Sequence, residues 1–325
     1  VGGRAARGRA RRRARARCRG RARGTVKART RAREGDGMDF WLTWIDEDPD
    51  QTIAVARAAE AAGYRGVALA DHVAVPVRFR SQHPSGGPTP FDHTTDFPDP
   101  LVTAAAILAS TTRPEGLTFV DVRPAREPFS VASQVATLAR LSNGRFRFGV
   151  GAGWLTEEIA LLGHPVSGRG RRMDEMLDVI ERFWREDAVE HHGEFFDFAP
   201  TGIAPKPREP VPVWVGGKSP AALARAARHD GWLGMNSDLS EVHALLDARP
   251  RARAAYAEAG GEVREPFETF VIPNAAPSAE LYADLARRGV TSTVGSAWGY
   301  ADRAYAALDA KLEAIEAFSE AFVRA

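Results

Sequence analysis

Cysteine is nearly absent from the 325-residue chain, in which Cys18 is the only one. A single cysteine excludes an internal disulfide framework and a cysteine-based metal site, and it is compatible with a reducing cytoplasm. Long hydrophobic runs are missing as well: no stretch of about 18 consecutive apolar residues occurs, so the usual signature of a membrane-spanning helix is lacking. Hydrophobic residues still make up 44% of the sequence, which is enough for the core of one large α/β domain or of two ordinary domains.

Acidic residues are scarce only at the amino terminus. Residues 1–37 contain 15 Lys and Arg but two acidic residues, whereas the remainder contains 29 basic and 40 acidic residues. The stretch "RAARGRARRRARARCRGRARG" alternates Arg with Ala or Gly and has almost no side chain that could pack in a core. This composition predicts a disordered tail over residues 1–37.

Three interpretations of this tail are open. Clustered Arg would neutralise phosphates in a nucleic-acid-binding arm, but this is disfavoured because no aromatic residue is interleaved for base stacking. A targeting peptide is disfavoured because no apolar segment follows the basic residues. The favoured interpretation is an over-extended start, with the folded domain spanning residues 38–325 from Met38 onward.

A glycine-rich fingerprint is lacking where an open dinucleotide-binding sheet would carry one, since "WIDEDPD" follows the first strand pattern. From Met38 the pattern instead alternates between strands and helices. The predicted strands are DFWLTW, RGVALAD, GLTFVDV, RFRFGVG, VPVWVGG, WLGM, FETFVIP and VTSTVG, and the predicted helices cover 50–64, 99–112, 127–144, 171–186, 219–231, 241–260, 280–289 and the terminus from 302. Eight such units predict a single (β/α)₈ barrel, with a doubly wound open sheet as the second possibility.

Three glycines, Gly149, Gly151 and Gly153, stand where the fourth of these strands should end. The carboxyl ends of the strands form the face on which (β/α)₈ enzymes build their sites. Glycine there lets a flat ligand or another backbone come close, or it lets a tapering barrel close. Spacing alone favours neither explanation.

Several motifs in a fixed order carry a resemblance: "GRFRFGVGAGW", "GRGRRMDEML", "FWRED", "HHGEFFDF", "PKP" and "PVWVGGKSPAALARAARHDGW". They are similar to the luciferase-like family of flavin- and deazaflavin-dependent oxidoreductases, and within it to the F420-dependent branch. The similarity covers residues 38–232 closely and the last third loosely. It implies a (β/α)₈ TIM barrel with loop insertions, here 73–98 and 191–210.

The resemblance also implies catalytic residues. Asp71 and His72 end the second strand, and a histidine at this place lines the pocket beside the redox ring in luciferase-like enzymes. A histidine titrates near neutral pH and can move a proton or fix a charge. The alternative is a loop histidine whose neighbour Asp71 caps backbone amides.

The implied cofactor site lies at three further places. Family members carry a non-prolyl cis peptide in the third strand, which corresponds here to Phe119–Val120, and Gly151 and Gly153 would lie beside the ring. The phosphate would be held where "GGKS" follows the fifth strand, by Gly216, Gly217, Lys218 and Ser219, with Ser219 as the helix N-cap. Asn236, at the end of the sixth strand, is the remaining candidate.

The resemblance implies an enzyme that transfers a hydride between F420 and a small organic substrate, and it is compatible with a homodimer. An FMN monooxygenase supplied by a separate reductase is the first alternative, and a non-catalytic cofactor- or nucleic-acid-binding protein is the second. No metal is expected, because the adjacent His191 and His192 would point to opposite sides of a strand. Glu157 and Glu158 are expected to start a helix, where negative charge is favourable.

Overall fold

A computed structural model describes residues 37–44, 48–296, 298 and 307–325 of the chain. The predicted Arg-rich tail lies outside these residues, apart from Gly37. The predicted start of the terminal helix at residue 302 also lies outside them.

Eight parallel strands form a closed barrel, in which the third strand pairs with the fourth and the eighth pairs with the first. The strands are β1 (Asp39–Trp44), β2 (Gly66–Leu69), β3 (Glu115–Thr118), β5 (Phe146–Gly151), β8 (Val213–Gly216), β9 (Gly231–Ser237), β10 (Glu268–Pro273) and β11 (Ser292–Val294). Each predicted strand corresponds to one of these. The predicted (β/α)₈ barrel is therefore confirmed, and the open sheet is excluded by closure.

Helices connect successive strands. They are α1 (Thr52–Ala61), α2 (Pro100–Ser110), α3 (Pro128–Leu141), α4 (Thr156–Leu161), α5 (Arg169–Arg185), α6 (Pro220–Ala226), α7 (Leu239–Glu258), α8 (Ala279–Arg287) and α9 (Leu308–Phe318). Proline stands in the first turn of α2, α3 and α6, where its missing N–H is not needed. In the described ranges, no helix combines the length and apolar composition that a membrane crossing requires.

The structure departs from the sequence patterns in three places. The third predicted strand is split into β3 and a two-residue strand β4 (Asp121–Val122), because the Phe119–Val120 peptide between them is cis. The predicted insertion 191–210 belongs to an antiparallel hairpin of β6 (Val189–His192) and β7 (Asp197–Thr201), which alternation over so few residues did not reveal. The predicted helix 219–231 ends at Ala226.

Two apolar layers lie on either side of the barrel wall. Inside the barrel, buried side chains pack together: Trp41, Ala68, Leu117, Trp214, Leu233 and Phe270. The larger cluster fills the space between strands and helices. The barrel interior is thus a packed core, as side-chain layers in (β/α)₈ barrels are.

A partly buried ionic network closes the amino-terminal end of the barrel. The Arg65 guanidinium contacts carboxylates of Asp39, Glu115 and Glu268 at 2.8, 3.1 and 3.1 Å, and Arg147 contacts Glu115 at 2.6 Å. Burial alone would lower the pKa of Arg65, but the three carboxylates raise it overall. The amino-terminal end of the barrel lies opposite the predicted site, and these ion pairs link β1, β3, β5 and β10 there.

Gly149 is required by the close approach of β3 to β5. A Cβ at this position would lie 1.9 Å from the Thr118 carbonyl oxygen. We expect Gly149→Ala to lower the free energy of unfolding by about 1–3 kcal/mol, the usual cost of forcing extra volume into a packed core. A matched control is Gly116→Ala, whose Cβ would meet side chains and no backbone, with Leu108 at 3.2 Å, Phe146 at 3.5 Å and Ala104 at 3.6 Å. Urea denaturation of both variants tests this, and equal losses would contradict the proposed cause.

Candidate active site

The carboxyl ends of the barrel strands meet at one face, because all eight strands are parallel. The predicted site residues lie at the ends of these strands or just after them. After β2 come Asp71 and His72, after β3 come Phe119 and Val120, at and after β5 are Gly151 and Gly153, and at β8 and β9 are Gly216, Gly217, Lys218, Ser219 and Asn236. The topology thus brings the predicted set to a single face of the barrel.

His72 is held by a buried carboxylate. Its Nδ1 lies 2.8 Å from Oε2 of Glu158, and the two side chains are only 9% and 2% exposed. The imidazole also stands against the rings of Phe91, Phe97 and Trp154, at centroid distances of 4.9, 4.8 and 5.9 Å. The ring therefore has one orientation, with Nδ1 directed at the carboxylate.

Glu158 is a candidate site residue that the sequence pattern did not indicate. It lies in the first turn of α4, as predicted, but Oε1 also accepts hydrogen bonds from the Val73 and Ala74 amides at 2.6 and 3.1 Å. Burial raises the pKa of this carboxyl, yet the hydrogen bonds from His72, Ala74 and Val73 outweigh burial, and the pKa lies below its ordinary value. The residue is ionised at neutral pH and so can only accept, which places the hydrogen of His72 on Nδ1.

The neighbouring Glu157 fixes the same loop at a second point. Its carboxylate accepts hydrogen bonds from the Arg80 amide at 2.7 Å and from the Ser81 hydroxyl at 2.6 Å. These bonds, with the Ser81 hydroxyl as the largest contribution, lower the pKa of Glu157 to about 2. The two glutamates of α4 therefore tie the predicted insertion 73–98 to the barrel.

Asp71 is buried and fully engaged. Its Oδ2 accepts from the Val122 amide at 2.8 Å, and both oxygens accept from the Arg126 guanidinium at 2.8 Å. The side chain is 1% exposed. Asp71 joins the end of β2 to the end of β4, and this geometry suits a positioning role.

The cis peptide predicted at Phe119–Val120 is present. The Phe119 ring lies 5.0 Å from that of Phe270, and both Phe119 and Val120 pack on the interior cluster of the barrel. A Cβ at Gly151 or Gly216 would meet the Val120 side chain at 2.5 or 2.8 Å. These two glycines therefore make room for Val120.

Gly153 makes room for Val122, which follows the cis peptide by two residues. Its φ of 75° lies in the left-handed region, and a Cβ would meet Val122 at 2.7 Å. Together with Gly149, the glycines of "GVGAG" accommodate the chain on either side of the cis peptide. Close approach of the segment 118–122 accounts for this spacing, with a backbone oxygen against Gly149 and valine side chains against Gly151 and Gly153.

The turn after β8 has the predicted cap. Ser219 accepts from the Ala222 amide at 3.1 Å and precedes Pro220 at the first position of α6. The Gly217 N–H donates to the Leu233 carbonyl at 3.2 Å, and Lys218 pairs with Glu241 at 2.9 Å. In this arrangement the Gly217 amide and the Lys218 charge are already engaged within the protein, and an anion would have to compete for them.

Asn236 carries a polar atom with no partner. Its Oδ1 is buried and accepts no hydrogen bond from any described residue. Such atoms are rare in folded proteins, and each calls for an explanation such as a missing ligand or water. An N–H group of a molecule bound at the end of β9 could therefore donate a hydrogen bond to Oδ1 of Asn236.

His83 also lies at this face, within the insertion. Its ring is 5.0 Å from Trp154 and 6.2 Å from Phe91, and the residue is 8% exposed. Burial lowers the pKa of His83, and positive charge on His72, when that ring is protonated, and on Lys218 lowers it further. In the sequence, this loop stands out by its Pro- and His-rich composition. Composition does not indicate which histidine of the loop is buried.

The hairpin residues His191 and His192 each pair with a carboxylate, that of His191 lying on α5 and that of His192 on β7. His191 Nε2 lies 3.0 Å from Glu175, and His192 Nδ1 lies 2.5 Å from Asp197. Over the part of the chain that the structure describes, no group of three or more His, Cys, Asp and Glu has a metal-binding arrangement.

Comparison with known proteins gives consistent matches. The model of the family described as luciferase-like monooxygenase matches residues 14–319. The uncharacterized protein Rv0940c of Mycobacterium tuberculosis is 36% identical over 244 residues, which cover 74% of this chain and 83% of that protein. The FMNH(2)-dependent dimethylsulfone monooxygenase of Pseudomonas fluorescens is 28% identical over 210 residues, which cover 63% of this chain and 53% of that enzyme.

Among solved structures, the coenzyme F420-dependent tetrahydromethanopterin reductase of Methanopyrus kandleri superposes with a TM-score of 0.65. It is 14% identical, and the match covers 89% of this chain and 99% of the reductase. At that identity the superposition supports the fold alone. The family model covers nearly the whole chain, and we conclude that the protein belongs to the luciferase-like monooxygenase family and is an enzyme of its oxidoreductase and monooxygenase class.

Proposed function

We propose that this enzyme uses F420 and transfers a hydride between the deazaflavin and a small organic substrate. The observation that carries the proposal is the His72 imidazole, whose Nδ1 is 2.8 Å from a buried carboxylate at the carboxyl end of the barrel. When bound, a deazaflavin accepts or donates two electrons as a hydride. What remains for the protein is to orient the substrate, exclude water and manage the accompanying proton.

His72 has the geometry for proton transfer. Because Nδ1 donates to ionised Glu158, the neutral ring presents the lone pair of Nε2, and protonation at Nε2 gives a cation that Glu158 stabilises. A carboxylate that orients an imidazole and stabilises its charged form is a recurrent arrangement for general bases. Glu158 therefore acts through His72 as a positioning residue, and Asp71 acts in the same indirect way through Arg126 and the Val122 amide.

The residues present fit a flavin-type ring. Its pyrimidine portion carries N–H donors and carbonyl acceptors, and the unpartnered Oδ1 of Asn236 would accept from such a donor. Phe119, Val120, Gly151, Gly153 and Gly216 would form the wall beside the ring, and Gly217, Lys218 and Ser219 would lie toward its phosphate-bearing chain. These assignments follow the family resemblance and are proposals for this chain.

The motifs "GVGAGW" and "GRGRRMDE" favour F420 over FMN as the cofactor, because they are most similar to the F420-dependent branch of the family. The second candidate is an FMN-dependent monooxygenase that receives reduced flavin from a separate reductase. The name of the Pseudomonas relative is the observation in its favour.

Fluorescence titration of the purified protein with F420 and with FMN tests the proposal. We expect a lower Kd for F420. We also expect Asn236→Leu to weaken F420 binding roughly 3- to 12-fold, the ordinary worth of one hydrogen bond, while the exposed control Asn274→Leu binds normally. Tighter binding of FMN, accompanied by O₂ consumption in the presence of a flavin reductase, would replace the first candidate with the second.

A further inference from the structure

Residues 82–96 of the insertion form most of their polar contacts among themselves. Within the described ranges, the hydrogen bonds of residues 82–90 and 92–96 all stay inside this segment. The nearest ion pairs along the chain are that of His72 before the segment and that of Asp99 after it. The segment therefore lacks the directional contacts that fix the strands and helices around it.

Both ends of the segment are fixed by carboxylates. Before it, Glu157 accepts hydrogen bonds from the Arg80 amide at 2.7 Å and from the Ser81 hydroxyl at 2.6 Å. After it, Asp99 accepts from the Leu101 amide at 2.9 Å and so caps α2. Because the flanking residues are held in this way, the segment between them can move while the barrel stays folded.

Ring contacts hold the middle of the segment in place. The Phe91 ring lies 4.9, 5.0 and 6.0 Å from the rings of His72, Phe97 and Trp154. The His83 ring lies 5.0 Å from that of Trp154 and 6.2 Å from that of Phe91. Loops held by a few apolar contacts open at a lower free-energy cost than the core of a domain. A change that weakens this ring cluster would therefore open the segment before it unfolds the barrel.

His83 fits into this cluster as a neutral ring. The residue is 8% exposed, and its Nδ1 accepts a hydrogen bond from the Ser85 amide at 3.4 Å. A protonated imidazole carries a hydrogen on both nitrogens, so protonation would set an N–H of the ring against the N–H of Ser85. Burial adds to this cost, because the charged ring loses its hydration. Protonation of His83 is therefore unfavourable while the segment is in place.

The charged groups around His83 act in the same direction. Burial lowers its pKa below the ordinary 6.5, and positive charge on Lys218, and on His72 when that ring is protonated, lowers it further. The carboxylates of α4 are already engaged, Glu157 by the loop itself and Glu158 by His72. Lys218 pairs with a carboxylate of α7. The remaining titratable residues of the segment are exposed: Asp92, His93 and Asp96.

We propose that residues 82–96 are a lid whose closed form packs Phe91 on the His72 ring, and that uptake of a proton by His83 opens it. In the closed form the His72 side chain is 9% exposed. Opening removes Phe91 from this ring, so the protonation state of His83 sets how far His72 is exposed. The lid is a property of the chain itself and does not depend on which cofactor the enzyme uses.

The pH range of opening follows from the lowered pKa. His83 has its ordinary pKa of 6.5 in the open form and a lower one in the closed form. Its contribution to closure is therefore fully present above pH 6.5 and is lost as the pH falls through the lowered pKa. The lid is thus expected to be closed at neutral pH and to open more often in mildly acidic solution.

Hydrogen exchange followed by mass spectrometry measures this opening in the full chain without cofactor. Exchange rates are corrected for the pH dependence of a free amide. From pH 7.5 to 5.5, the opening of residues 82–96 is expected to increase up to about tenfold, the limit for one proton taken up with a pKa of 6.5 in the open form. Peptides from α2 serve as the internal reference, and their corrected exchange should not change.

Two variants remove the titrating group. His83→Phe keeps a ring in the cluster, and His83→Gln replaces it with a neutral amide that cannot pack in the same way. Both should abolish the pH dependence of exchange in the lid, and His83→Gln should also raise exchange at every pH. The exposed histidine of the same segment is the matched control, so His93→Phe should keep the parent's pH dependence. His72→Phe should keep it as well, which separates the titration of His83 from that of His72.

Corrected exchange of residues 82–96 that does not change between pH 7.5 and 5.5 would overturn the proposal. A pH dependence that persists in both His83 variants, or that disappears in His93→Phe or His72→Phe, would overturn it too, because the opening would then follow another group. An equal increase in the α2 peptides would show general loosening of the fold in place of a lid.

Discussion

His72→Ala is expected to slow turnover of a confirmed substrate roughly 10²- to 10⁴-fold, the usual contribution of a positioned acid or base. Affinity for the cofactor should stay within about fivefold, because the proposed ring contacts come from other strands and one lost contact is worth about 1 kcal/mol. Steady-state kinetics give kcat and KM, and fluorescence titration gives the cofactor Kd. Full turnover by His72→Ala would return His72 to the role of a loop histidine.

Glu158 supplies the control that separates proton transfer from general damage to the site. Glu158→Gln removes the charge opposite Nδ1 but keeps the size of the side chain, so it should lower kcat by less than His72→Ala and shift the pH dependence of kcat to lower pH. If Glu158 acts through His72, adding Glu158→Gln to His72→Ala should cost little more in kcat, because residues that work as a unit are non-additive.

The same carboxylate couples the site to pH. The pKa of Glu158 in the folded protein lies below the ordinary 4.5. Its hold on His72 and on the Val73 and Ala74 amides therefore stabilises the fold fully above pH 4.5 and is lost as the pH falls through the lowered pKa. Protonation of Glu158 would weaken its hold on the Val73 and Ala74 amides and on the His72 imidazole together, while Glu157 still holds the loop at Arg80 and Ser81.

Much of the barrel could be predicted because its determinants are local. Strand and helix periods, the Ser219 cap and the glycine-rich end of β5 are read from neighbouring residues, and each is found where it was expected. The cis bond at Phe119–Val120 came from the family resemblance, since nothing in the local sequence requires it.

The contacts that organise the active site could not be predicted from local pattern. Glu158 meets His72 across 86 positions of sequence, and the pairing of β2 with β3 and of β3 with β5 is what brings α4 beside the end of β2. The same holds for His83, whose inward direction depends on where the loop is tied by Glu157. The glycines of "GVGAG" stand out in the sequence, but their contacts with Thr118, Val120 and Val122 depend on the fold and could not be predicted.

Asp71→Asn is expected to lower the free energy of unfolding by about 3–5 kcal/mol, the usual cost of leaving one member of a buried ion pair without its partner. Asp71 is 1% exposed, and its oxygens accept three hydrogen bonds, two from Arg126 and one from the Val122 amide. The amide of Asn would set an N–H group against these donors and would leave the Arg126 charge with only the half-exposed Asp99 carboxylate, 3.5 Å away, as an acidic partner.

Denaturant unfolding of Asp71→Asn and of the exposed control Asp96→Asn measures this effect directly, with the control expected to stay within about 0.5 kcal/mol of the parent. Adding Arg126→Gln to Asp71→Asn should recover part of the lost stability, because removing both charges is less costly than removing one. A directly catalytic Asp71 would give a different result, a loss of turnover with the parent's stability. Since the carboxylate has no face left for a substrate, we expect the loss in stability, and any fall in activity should follow from displacement of β4 and the adjoining Phe119–Val120 segment.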